Sequence, residues 1–195
     1  MKTMDNVETY FDRLRGAIDL VPREKLAALG DMLYRTYRDD KQVFTLGNGG
    51  SASTASHMAA DLAKNTIGPN MHRFRIISLN DNMSIVTALA NDLGYENVFS
   101  EQLMNLVKPG DLLIAISASG NSPNVLNAIR YAQQQCAEVA GIFGFSGGEG
   151  AQLADLSIVI PCDHYGIVED VHLIINHVVV DYFQGRLADD CPWLV

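Results

Sequence analysis

The chain has 195 residues, 48% of them hydrophobic, and a formal net charge of −9 at pH 7. This is enough apolar material for one domain with a sizeable core and too much for a disordered chain, while the acidic balance argues against nucleic acid or an anionic membrane as a main partner, since both want a basic face. Three cysteines, Cys136, Cys162 and Cys191, are odd in number and widely spaced, so they match neither a disulfide framework nor a thiolate metal site and suit a reducing cytoplasm. The opening MKTMDNVETYFDRL has no uninterrupted apolar core, so no signal peptide is expected. No run of about 18 apolar residues predicts a membrane span.

Residues 5–20 and 22–39 read as two amphipathic helices parted at Val21–Pro22, with Pro22 in a first turn. No strand precedes them, so they are expected to cover a sheet or serve an interface. Gln42–Leu46 is a short apolar strand, followed by the loop LGNGGSAS at Leu46–Ser53 and helical periodicity from about Ser51 to Asn65. Arg75–Leu79 is a second strand, and helical stretches follow at roughly Asn82–Asn91 and Glu96–Val107. Lys108–Pro109–Gly110–Asp111 signals a turn before the third strand, Leu112–Ile116. The loop ISASGNSP at Ile116–Pro123 leads into a helix over Pro123–Gln135. Val139–Phe143 and Ser157–Ile160 are a fourth and a fifth strand, and a last helix runs from about Ile167 to Arg186. Strands alternating with helices predict a single α/β domain over residues 1–195 with a parallel sheet. The strands are apolar throughout rather than alternating, which predicts cover on both faces.

Both glycine–serine loops fall at carboxyl ends of strands, where open parallel sheets bind ligands. At Gly47–Asn48–Gly49–Gly50–Ser51 the glycines allow close backbone approach, and the following helix offers free N–H groups and a positive dipole end. In the second loop Ser122 suits an N-cap and Pro123 a first helical position, while Ser117, Ser119 and Ser122 add hydroxyls. Neither loop carries Lys or Arg. Two ordinary capped turns would explain either loop alone; the pair on one sheet edge points to one anionic ligand, most simply a sugar phosphate. Gly47, Gly49 and Ala52 match a dinucleotide fingerprint, but the acidic residue it wants, Asp81, comes too late, and no Gly-Lys-Ser/Thr loop exists.

His57 and Asp61 are four apart on the helix after the first loop and share a face. Glu169, His172, Asn176 and His177 lie on the last, otherwise very apolar helix, with Glu169 and His177 near one face. Buried groups of this kind need a partner or a metal. They read either as an internal ion pair, such as His172 with a carboxylate, or as an acid–base pair, metal-assisted or not; two histidines and two carboxylates make an acceptable zinc set. His72 and His164 read as surface residues.

LGNGGSAS with its following His and Asp, NDLGY at Asn91–Tyr95, ISASGNSPNVL and a terminal helix carrying a histidine resemble the phosphoheptose isomerases, members of the sugar isomerase (SIS) family of phosphosugar-binding domains. The resemblance runs from about Tyr10 to Phe183. It implies a three-layer α/β sandwich with a five-stranded parallel sheet, a homotetramer with active sites at subunit contacts, and conversion of sedoheptulose 7-phosphate to D-glycero-D-manno-heptose 7-phosphate for nucleotide-activated heptose. By position it implies substrate contacts at Asn48, Gly49, Gly50, Ser51, Asn91, Asp92, Ser117, Ala118, Ser119 and Ser122. It also implies zinc at His57, Asp61, Glu169 and His177, and an acid–base pair of Asp61 and His177. The chain departs from the family pattern, which has Glu at Asp61, Gln at Glu169, Thr at Ala118 and Arg at Asn65. Asp61 is one methylene short of the usual base, and Glu169 adds charge beside the metal or takes over as base. The competing expectation is a non-catalytic phosphosugar-binding adaptor of the replication-initiator-associating type, or an isomerase of another ketose phosphate.

Overall fold

The computed structural model describes residues 2–67 and 72–190; Cys191 lies outside them. Two helices come first, α1 (Lys2–Asp19) and α2 (Arg23–Arg38). Then follow β1 (Val43–Gly47), α3 (Gly50–Asn65), β2 (Ile76–Ser78), α4 (Met83–Leu93), a 3₁₀ turn at Tyr95–Asn97, α5 (Ser100–Leu106), β3 (Leu112–Ser117), α6 (Pro123–Gln134), β4 (Glu138–Gly144), α7 (Gly150–Leu153), β5 (Leu156–Ile160) and α8 (Tyr165–Asp190). The five strands are parallel in the order β2-β1-β3-β4-β5. Every helix-containing crossover therefore returns the chain to the same end of the sheet, and the loops after β1 and β3 become neighbours at its carboxyl edge.

Alternation along the strands divides the core in two. Val43, Ile76, Leu112, Ile114, Ile116, Ala140 and Ile142 meet α2, α3 and α8 through Leu29, Leu33, Met58, Leu62, Val168, Val171 and Ile175. Phe44, Leu46, Leu113, Ala115, Val139 and Phe143 face the other way, onto Leu103 of α5 and Val125, Ala128 and Ile129 of α6. The expected three layers are present. All six residues of β3 are buried, as a central strand between two helical layers requires. The expectation of full cover fails at the β2 edge, where Ile77 is 41% exposed.

Helix α2 covers the sheet, while α1 packs on α8 and leaves Val7 and Phe11 outward. Tyr10 Oη donates to Asp170 Oδ2 at 2.6 Å, tying α1 to the start of α8, and that bond pushes the phenol up to about 12. Between β2 and β3 the helices differ from expectation: Gly94, at φ +92, ends α4, and residues 95–97 form a 3₁₀ turn before a shorter α5. The short α7 has no counterpart in the sequence reading.

Candidate functional site

The two glycine–serine loops meet as expected. Asn48 and Ser51 from the first and Ser117, Ala118, Ser119 and Ser122 from the second line one solvent-open cavity of about 130 Å³, closed on the α8 side by Tyr165 and Glu169. The helices α3 and α6 both begin at this cavity, so two positive helix ends face it, although Ala52, Val125 and Leu126 N–H already have protein acceptors and Pro123 has no N–H to offer. No Lys or Arg lines it. Ser122 takes the N-cap position with Pro123 at the first turn, yet its hydroxyl makes no capping bond, which leaves that group for the cavity. Gly49, the N-cap of α3, has φ +55, a conformation that favours glycine.

Several contacts that build this cradle escaped the sequence reading. The amides of Asn48 and Asn124 hold each other, each donating to the other's carbonyl at 2.9 Å, and Tyr95 Oη donates to Asn48 Oδ1 at 2.9 Å. Asn80 clamps the end of β1, accepting from Gly47 N at 3.1 Å and donating to Gly47 O at 2.9 Å. The loop after β4 buttresses the second glycine–serine loop: Gly150 N donates to Gly120 O at 2.8 Å and Glu149 N to Asn121 Oδ1 at 2.9 Å. Only the run of Gly147, Gly148 and Gly150 hinted at so close a backbone contact. Asn91 and Asp92 stand exposed on α4, Asn91 Nδ2 donating to Asp92 Oδ1 at 2.7 Å, and neither lines the cavity.

Farther along α3 and α8 lies a second group. His57 Nε2 is 3.1 Å from Asp61 Oδ2 and 3.2 Å from His177 Nε2, and His177 Nε2 is 3.8 Å from Asp61 Oδ2. One turn of α3 brings the first pair together, and side-by-side packing of α3 on α8 brings the third member. The donor atoms of His57, Asp61 and His177 all lie within 4.8 Å of one another. Ligands bound to a tetrahedral zinc at about 2.0–2.2 Å stand about 3.3–3.6 Å apart, so these separations fit a three-ligand site with an open position. Asn176 Nδ2 donates to Asp61 Oδ2 at 3.0 Å, and Asn65 Nδ2 to Asp61 Oδ1 at 3.3 Å.

Glu169 stands apart from this trio. It lies eight residues of helix from His177, and its carboxylate is not among the donor atoms gathered within 4.8 Å of one another. Its carboxylate rests on the first residue of α3 instead: a Cβ at Gly50 would lie 2.3–2.4 Å from the carboxylate atoms. His172 corrects the ion-pair expectation. It is fully buried, both ring nitrogens lack hydrogen-bond partners, and burial pushes the imidazole down to about 4. The Phe143 backbone is near enough to oppose that shift in part but is not aligned as a bond. His164 is half-buried rather than a surface residue, its Nδ1 accepting from Ile167 N at 3.3 Å at the start of α8. His72 is exposed but stacks on Tyr37 at 4.0 Å between ring centroids.

Glycine–serine loops free of Lys and Arg at the carboxyl edge of a parallel sheet, bordered by the Glu169 carboxylate and with His57, Asp61 and His177 beyond them, match the features of a phosphosugar-binding domain. The family model for the SIS domain matches residues 9–144. A phosphoheptose isomerase of Sulfurimonas denitrificans is 36% identical over 166 residues, 85% of each chain, and one of Mycobacterium bovis is 38% identical over 181 residues, 93% of this chain and 92% of the relative. The solved phosphoheptose isomerase of Neisseria gonorrhoeae superposes with a TM-score of 0.86 at 26% identity, over 94% of this chain and 99% of that one. The chain belongs to the SIS domain family and, within it, to the phosphoheptose isomerases. Fold alone does not fix activity: a Vibrio vulnificus NanR protein complexed with ManNAc-6P also superposes, with a TM-score of 0.68 at 16% identity over all of this chain and 64% of that one.

Proposed function

We propose that this chain is an aldose–ketose isomerase that converts sedoheptulose 7-phosphate to D-glycero-D-manno-heptose 7-phosphate through an enediolate, supplying nucleotide-activated heptose synthesis. The observation that carries the reading is the placement of the cradle and the His57–Asp61–His177 cluster on the same pair of helices. Gly50 and His57 are separated by about 10 Å of helix rise, the reach of an extended sugar phosphate, and Asp61 lies one turn farther. The names of the relatives support the substrate.

In this reading Asn48, Gly49, Gly50, Ser51, Ser117, Ala118, Ser119 and Ser122 hold the phosphate, and that remote binding positions the reacting carbons. Asp61 removes the proton beside the carbonyl and returns it to the neighbouring carbon. His177 moves a proton between the two oxygens; each transfer contributes about 10²–10⁴-fold. Zinc would be held by His57, Asp61 and His177, and when bound it supplies Lewis-acid polarisation of the carbonyl. Glu169 is the second carboxylate of the site. Two anions cannot share the α3 N-terminus without repulsion, so phosphate binding turns Glu169 away from Gly50. Asn91 and Asp92 contact the substrate in the assembled enzyme.

We further propose a homotetramer with sites at subunit contacts, working in the cytoplasm. Outward apolar side chains on α1 (Val7 and Phe11) and α8 (Leu173 and Val178) support the assembly. The unpaired thiols of Cys136 and Cys162 suit a reducing compartment. Among the described residues no helix is long and apolar enough to cross a membrane.

The test is turnover of sedoheptulose 7-phosphate by wild type, Asp61→Asn and chelator-treated enzyme with and without added zinc. Asp61→Asn is expected to lose at least about 100-fold in kcat. Full turnover by this variant refutes the assignment of the base.

A further inference from the structure

Resting on the isomerase reading, we propose that Asn176 is a positioning residue for the reaction: it fixes the Asp61 carboxylate in the orientation that faces the two histidines. Asn176 is completely buried on the inner stripe of α8. The other buried positions of that stripe are apolar, Ile167, Val168, Val171, Ile175, Val179, Val180, Phe183 and Leu187, except for His172. Packing alone would place another branched aliphatic side chain there.

The one side-chain bond Asn176 is seen to make is to the carboxylate. Its Nδ2 donates to Asp61 Oδ2 at 3.0 Å, while its Oδ1 is buried without any partner. Turning the amide over would set its oxygen against Asp61 Oδ2, two acceptors at bonding distance, so the carboxylate decides the orientation. An unpaired buried carbonyl costs stability. The fold therefore tolerates a cost at this point, and the return is a directed carboxylate.

Asp61 needs such a partner. Its side chain is 19% exposed and short, and Oδ2 must face His57 Nε2 at 3.1 Å and His177 Nε2 at 3.8 Å at once. The bond from Asn65, at 3.3 Å to the other oxygen, is longer and comes from the same helix, so it does not tie the carboxylate to α8. Asn176 reaches it from the facing helix, which locks the carboxylate plane to the α3–α8 contact. Groups held in this way by a partner outside the reacting set lose about 10–100-fold in activity when the partner is removed.

The test uses Asn176→Leu and the smaller Asn176→Val in the full-length protein, with kcat and KM for sedoheptulose 7-phosphate and the melting temperature measured for each, and Asp61→Asn assayed alongside. The expected result is a kcat lower by about 10–100-fold, a KM within about threefold of wild type, and a melting temperature equal to or above it, because an orphaned carbonyl has gone. A purely structural Asn176 predicts the reverse: a lowered melting temperature with kcat retained. Wild-type kcat in either variant, or activity lost only in step with melting temperature in both, overturns the proposal. If Asp61→Asn retains turnover, or wild type has none on this substrate, the isomerase reading falls and takes this one with it. If Asp61→Asn is inactive while Asn176→Leu turns over fully, only the positioning role falls.

Discussion

His172 offers a direct measurement of what this fold pays to keep an imidazole dry. The ring is fully buried with neither nitrogen bonded, and its pKa falls from 6.5 to about 4 in the folded chain. The unfolded chain therefore takes up a proton near pH 6.5 that the folded chain refuses until about pH 4. Stability from this group is complete above pH 6.5 and is lost as pH falls through that window. One pKa unit is worth about 1.36 kcal/mol, so the full loss is about 3 kcal/mol, of which about 2 kcal/mol has gone by about pH 5. His172→Leu removes the titrating group while keeping an aliphatic side chain among Val168, Val171 and Ile175. Urea unfolding of both proteins at about pH 8 and about pH 5, at one protein concentration, isolates the effect because the carboxylates are common to both. Wild type should lose about 2 kcal/mol more than the variant on going to the lower pH. At the higher pH the variant should be at least as stable, since two unpaired nitrogens are gone. Equal losses in the two proteins would refute the reasoning.

Two further outcomes follow from the cradle. Glu169→Gln removes a charge from the N-terminal end of α3; it should tighten binding of inorganic phosphate by about 2- to 30-fold, the equivalent of a helix-end charge interaction of about 0.3–2 kcal/mol, as read by calorimetry. Unchanged affinity would mean that the carboxylate and the phosphate do not compete. Gly120→Ala forces a side chain onto φ +63 and sets a Cβ 1.9 Å from the Gly147 carbonyl oxygen, so it should separate the two loops and cost at least about 2 kcal/mol, or about 4–8 °C in melting temperature. Melting at the wild-type temperature would show that the loops are not docked in this way.

What the residues say by themselves is local and periodic. The parallel α/β architecture is legible because β1, β3 and β4 are short apolar runs between helical periods. The cradle is legible because Gly47–Ser51 and Ser117–Ser122 each combine a strand end, small side chains and a helix start within a few positions. The pairing of His57 with Asp61 follows from helix geometry, since residues four apart are neighbours whatever surrounds them.

The contacts between elements have no such rule. Whether His177 reaches His57 depends on how α8 lies against α3, and whether Glu169 joins them depends on the rotamer its neighbours permit. Its place at Gly50, two turns from His177, is visible only in the folded chain. The same holds for Asn176: on the helix it reads as one polar residue in an apolar run, and only packing shows that the Asp61 carboxylate lies opposite it. The contacts of Tyr95, Asn80 and Asn124 were hidden for the same reason, although two of these residues lie within the NDLGY and ISASGNSPNVL motifs, because hydrogen bonds across loops far apart in the chain leave no period in the sequence. Chain order and side-chain chemistry determined which groups are available, whereas the packing of α3 and α8 on a twisted sheet decided which of them meet, because that distance is set by the whole core and by no single segment.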